Sequence, residues 1–188
     1  MLKQIEEFGK HVAIAGFRNV EIKDTEEFLK KIRKEKPSNV EIQFFDAKFV
    51  ATWQHLYFAA VNALTAFKNR ENISKSLAME SLLYASAQRQ IRKAMELLGV
   101  KPNSSEIAVL IVGEKPESAR LALSLVPKHV KAKRDDTILK LSKEKAAGIQ
   151  KIFAISDVEL ETVMKKDGLE KALADLVIER MALLATQH

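Results

Sequence analysis

The sequence predicts an α+β fold in a single domain spanning residues 1–188: a small mixed or antiparallel sheet flanked by several helices, among them a central helical hairpin. Three observations point there. Short β-branched and apolar runs of strand length recur at His11–Phe17, Val40–Phe45 and Ile107–Val112. Longer stretches between and after them carry apolar residues at helical spacing. Two of these stretches are joined only by Arg70-Glu71-Asn72, a connection short enough to force neighbouring helices into an antiparallel pair.

Taken in order, residues 2–18 read as two short strands with a turn over Glu6 to Gly9. Asp24 or Thr25 caps a helix from Glu26 to about Lys34, with Phe28, Leu29 and Ile32 inward and a lysine-rich face that reads as solvated. Pro37-Ser38-Asn39 breaks the chain before the alternating strand Val40–Phe45. Asp46 then serves as N-cap of a helix from Ala47 to Lys68, whose Phe49, Trp53, Leu56, Tyr57, Ala60, Leu64 and Phe67 form a core stripe. His55 and Asn62 fall off that stripe, and His55 reads as a surface histidine.

The next stretch organises the rest. Asn72 to Leu98 reads as one long helix, capped by Asn72 or Ser74 and stopped at Gly99. Leu77, Leu83, Tyr84, Ala87, Ile91, Ala94, Met95 and Leu98 share one face, and Glu80 sits inside that face, where a carboxylate needs hydrogen-bond partners. The other face carries Ser74, Ala78, Ser81 and Ala85, then Gln88, Arg89 and Arg92: small side chains that admit a close approach, followed by cations that suit an anion.

Ile107–Val112 is continuous enough to be a central strand covered on both faces. Glu117 to Leu125 reads as a helix stopped by Pro127, and Lys128–Arg134 as a basic surface linker, or failing that a strand edge. Thr137–Leu141 reads as a short strand, Lys143–Phe153 and Asp157–Met164 as helices, and Asp167-Gly168 as a stop. The last helix, Leu169 to Ala185, has two apolar stripes. Leu169, Leu173, Leu176, Val177 and Leu184 make the first; Ala174, Ile178, Met181 and Ala185, with Ala182 beside them, make the second. One stripe docks a helix on its own core, so the second asks for further neighbours or for another protein.

Composition narrows the function classes. The chain has 188 residues, 47% hydrophobic and 30% charged, with no cysteine and four scattered histidines. There is no thiolate metal site, no H-E-x-x-H, no glycine-rich phosphate loop and no nucleophile elbow, so neither a cofactor nor a metal is expected and an enzyme is the weaker hypothesis. No run is apolar and long enough to span a bilayer, which with the missing cysteines suggests an intracellular, cytoplasmic protein with no membrane partner. A net charge of +6 tilts the partners toward polyanions.

The residues S-K-S-L-A-M-E followed by A-S-A-Q-R-Q-I, then A-M-E-L-L-G, carry a family resemblance. They resemble the small accessory subunit of the KEOPS complex, the kinase-binding partner family, and its archaeal branch most of all. The likeness extends more weakly from Phe44 to Gly113 and over the last helix. It implies a one-domain α+β protein that does not catalyse but docks on the kinase-like subunit of KEOPS. That subunit in turn holds the transferase that threonylcarbamoylates tRNA. It also implies recruitment of tRNA through its 3′ CCA end. On that reading Asn72, Ser74, Lys75, Ser76, Arg89 and Arg92 are the candidate tRNA contacts, with His55 added from its place in the family. Ala174, Ile178, Met181, Ala182 and Ala185 are the candidate interface with the kinase-like subunit. The alternative is a protein–protein adaptor that does not touch RNA.

Overall fold

In the computed structural model, which describes residues 1–186 (the side chains of 165–167 excepted), five strands form one antiparallel sheet. They are β1 (Leu2–Ile5), β2 (Lys10–Glu21), β3 (Val40–Asp46), β4 (Glu106–Gly113) and β5 (Lys131–Arg134). The helices are α1 (Thr25–Glu35), α2 (Trp53–Asn69), α3 (Leu77–Ala85), α4 (Ile91–Leu98), α5 (Pro116–His129), α6 (Lys143–Ile152) and α7 (Asp157–Leu184). The architecture is α+β, as the sequence predicts.

The strand order is β1-β2-β4-β3, with β5 also paired to β2. β4 is central: Ile111 faces Ala13 of β2 on one side and Ile42 of β3 on the other. Both its faces are buried, Ile107, Val109 and Ile111 against α1 and α5, Ala108, Leu110 and Val112 against α2, α3 and α4. The uninterrupted apolar run is therefore what a doubly covered strand requires. β1 and β5 share the remaining edge of β2, one pairing with Lys10–Ala13 and the other from Phe17 to Glu21. The basic run is thus partly an edge strand and not a linker, and its lysines discourage further pairing. Gly16 lies between the two partners, where a Cβ would come within 2.6 Å of the Asp135 carbonyl oxygen.

Several boundaries move for identifiable reasons. Asp46 caps only a 3₁₀ turn over Ala47–Phe49, and α2 starts afresh behind Thr52, whose hydroxyl accepts from the His55 amide. Pro127 does not stop α5 but lies in its last turn, two residues before the end at His129. Thr137–Leu141 is no strand, because Asp135 caps a 3₁₀ turn over Asp136–Leu139 by accepting from the Thr137 amide at 3.0 Å. The long helix expected over Asn72–Leu98 is two helices, α3 and α4, separated at Ala87, which takes the left-handed conformation at φ 50°. α7 is interrupted where expected, at Gly168 with φ 77°.

Candidate functional site

The connection between α2 and α3 is closed upon itself. Ser76, not Asn72 or Ser74, caps α3, its hydroxyl accepting from the Met79 amide. Ser74 is buried, and its hydroxyl accepts from the Ser76 amide at 3.2 Å. Asn72 donates from its side chain to the Ser74 carbonyl at 3.0 Å. Glu80, fully buried, reaches back from α3 and accepts from the amides of Ile73 at 3.1 Å and Ser74 at 2.6 Å. The lone carboxylate therefore has the partners its burial demands. It also takes the backbone donors that a phosphate would need at this turn. Lys75 alone of the polar candidates here projects freely, as an exposed cation.

The small-residue face of α3 is not a crevice for a ligand. Ser81 and Ala85 are buried, the Ser81 hydroxyl donating to the Leu77 carbonyl at 2.8 Å and the Ala85 carbonyl meeting a side chain of α2. His55 of α2 shows why. Its Nδ1 accepts from the Ala51 amide at 3.2 Å and its Nε2–H donates to the Ala85 carbonyl at 2.7 Å, which fixes the neutral Nε2–H tautomer. The ring also meets Phe153 edge-on at 5.6 Å between centroids. The surface position expected for His55 is corrected: it is completely buried with both nitrogens engaged, and has no atom to offer an RNA. Burial lowers its pKa to about 4.

Arg89 and Arg92 are exposed, but they do not share a helical face with Ser74. Arg89 belongs to the turn after α3, close enough to Tyr84 for its charge to act on that hydroxyl. Arg92 stands in the first turn of α4 and pairs with Glu96 at 3.0 Å while remaining 90% exposed. Such an exposed i,i+4 pair contributes only tenths of a kcal/mol and yields readily to a phosphate.

The tail differs from expectation as well. Met181 and Ala174 of the second stripe are buried, Met181 inside the cluster beneath α2 and α3. Met181 cannot present a docking face in this fold, and Ala174 keeps only a narrow margin at the surface, because α7 is gripped on two sides: by α2 on one, and on the other by Ala51, Ile149, Phe153 and the start of α7 itself. Ile178 is half-buried, and Ala182 and Ala185 are exposed. Together these leave a seam between α2 and α7. Ile178 and Ala174 line it on one side, Trp53 and Phe58 on the other, with Leu139 beyond. A second hollow by Met1, Lys3 and Ile14 meets the first at Trp53 and Leu139. Phe58 is 40% exposed although large and apolar. The core reading of the α2 aromatics passes over this seam; the available signal is that Phe58 falls outside the apolar stripe of its own helix. Charges flank the seam in both signs, Lys3 over the Trp53 ring at 4.5 Å and Lys171 with Asp175 at 3.4 Å.

Among the described residues no group of three or more His, Asp or Glu side chains is placed to hold a metal ion, and no helix is long and apolar enough to cross a membrane. A family model described as kinase binding protein CGI-121 matches residues 17–185. The regulatory protein Cgi121 of Methanocaldococcus jannaschii is 31% identical over 132 residues, which is 69% of this chain and 83% of that relative.

Proposed function

From the premise that the chain belongs to the CGI-121 family of kinase binding proteins, we propose that it is a non-catalytic regulatory subunit of a cytoplasmic KEOPS complex, docking on the kinase-like subunit through the α2–α7 seam. The observation that carries the reading is the exposure of Phe58 beside Trp53 and Ile178 in an apolar hollow flanked by charges of both signs. Aromatic side chains in such hollows supply most of the energy of protein interfaces, with a polar rim that excludes water. The transferase is reached indirectly, through the kinase-like partner. Isothermal titration with the purified kinase-like subunit tests the seam: Phe58→Asp should weaken binding while the melting midpoint stays within a few degrees. Unchanged affinity would remove the seam from the interface.

A second function, recruitment of tRNA by its 3′ CCA end, is favoured by the exposed cations Lys75, Arg89, Arg92 and Lys93 around the two ends of α3. A single-stranded end is held by cations on its phosphates and by surfaces that take its bases. Mobility shifts at fixed ionic strength should separate whole tRNA from tRNA lacking CCA; equal affinity for the two would leave only the adaptor function.

A further inference from the structure

We propose that the α2–α7 seam selects its protein partner by charge: Lys140, standing where the two apolar hollows meet, pairs with a carboxylate that adjoins the inserted apolar side chain. The inference rests on the kinase-docking reading above and names the chemistry of the segment that the seam takes.

Lys140 lines both hollows, as do Trp53 and the buried Leu139. A segment that reaches from one hollow into the other therefore passes these three side chains. The backbone around Lys140 is fixed from both directions. Its own amide closes the 3₁₀ turn on the Thr137 carbonyl at 3.0 Å, and the next amide, that of Leu141, is held by the Glu170 carboxylate at 3.5 Å. The Lys140 side chain is exposed and has no ion-pair partner among the described residues. A cation is thus presented from a rigid point at the junction.

Both signs of charge line the hollows, but the carboxylates are already engaged. Asp136 accepts from the Gly16 amide at 3.0 Å and pairs with Arg134 at 3.0 Å. Asp175 pairs with Lys171 at 3.4 Å, and Glu170 holds the Leu141 amide. The cations are not matched in this way. Lys3 stands over the Trp53 ring at 4.5 Å and, like Lys140, meets no carboxylate among the described residues. What the seam offers a newcomer is therefore positive charge beside an apolar hollow. Across an interface such a surface attracts a carboxylate and rejects a second cation. The apolar walls ask for an aromatic or branched side chain next to that carboxylate. An RNA strand fits less well, because its successive phosphates need a run of cations, and Asp136, Glu170 and Asp175 line the same hollows.

The test is the binding kinetics of the full chain with the purified kinase-like subunit, at low and at high salt. Lys140→Glu should weaken binding by about tenfold at low salt, chiefly through slower association, and the deficit should shrink at high salt. Lys140→Gln removes the charge without reversing it and should lose about two- to threefold. Replacing the surface carboxylates of the kinase-like subunit by lysine, one at a time, should give one variant that binds Lys140→Glu better than it binds the wild-type chain. A merely structural role for Lys140 cannot produce that exchange. If Lys140→Glu lowers the melting midpoint, Lys140→Gln carries the test. Wild-type affinity and salt response in both variants, with Phe58→Asp still weakening, would overturn the selection by charge and leave the seam as the docking site. Wild-type affinity in Phe58→Asp as well would remove the seam itself. Tighter binding by Lys140→Glu would mean that the partner's segment is basic there, which overturns the proposal. So would a loss of tRNA affinity with the kinase-like subunit still bound, since Lys140 would then serve an RNA surface.

Discussion

His55 and Glu80 are the two buried polar residues on which the α2–α3 pair is closed, and they were unequally visible. Glu80 announces itself, since a carboxylate inside an apolar stripe must find donors, and it does so in the turn before its own helix. His55 gives no such signal; the ring is buried by elements that arrive from elsewhere in the chain, the α3 C-terminus at Ala85 and Phe153. Each residue makes a prediction. The folded His55 pKa near 4 lies below the ordinary 6.5, so the unfolded chain takes up a proton first as pH falls. The contribution is complete above about pH 6.5, declines between there and pH 4, and amounts to about 3 kcal/mol over that window. Urea unfolding at pH 7 and pH 5, which spans part of that window, should show a loss of about 2 kcal/mol in the wild type and a smaller one in His55→Gln, which cannot titrate; parallel losses would refute it. Glu80→Ala strands the buried Ser74 amide and the half-exposed turn around it, and should cost about 2 kcal/mol or more by the same measurement at pH 7. Glu80→Gln keeps one acceptor oxygen and should fall between.

At the scale of elements, the break between α3 and α4 is the largest departure from the sequence reading. Apolar residues keep helical spacing straight through Ser86-Ala87-Gln88-Arg89-Gln90, and no glycine or proline marks the stop. The chain turns because the Ala87 amide bonds back to the Tyr84 carbonyl and the Gln88 amide to that of Leu83, closing α3 with a left-handed alanine. An alanine there is strained by about 1 kcal/mol, and glycine is not. Ala87→Gly should therefore raise stability by a few tenths to about 1 kcal/mol, the gain being reduced by the greater freedom of glycine in the unfolded chain. Destabilisation in urea melts would mean that the turn is held by something other than its backbone. By contrast α1, the central strand and the Gly168 interruption were legible, because each has its own local signal: an Asp24 cap, an unbroken apolar run, a glycine at positive φ.

Across the whole molecule, the order of strands is what decides which surfaces can act together, and it was not legible. Pairings such as Ala13 with Ile111 join residues far apart in the chain, and local pattern does not specify them. Once the order is known, the α2–α7 seam is seen to end at one edge of the sheet. It runs on to Met1 and Lys3 in β1, while the cations of the tRNA reading stand around the two ends of α3. None of Lys75, Arg89, Arg92 and Lys93 lines the seam. A kinase-like subunit and an RNA end should then bind at once and without competition. Substitutions at separated sites with no common partners add to within about 0.5 kcal/mol. Phe58→Asp should weaken the kinase-like subunit by about 2 kcal/mol and leave RNA affinity unchanged. Arg92→Gln should do the reverse, and the double variant should show the sum of both effects in each titration. A coupling well above 0.5 kcal/mol would mean that the fold transmits occupancy from one surface to the other, and the two would have to be treated as one site.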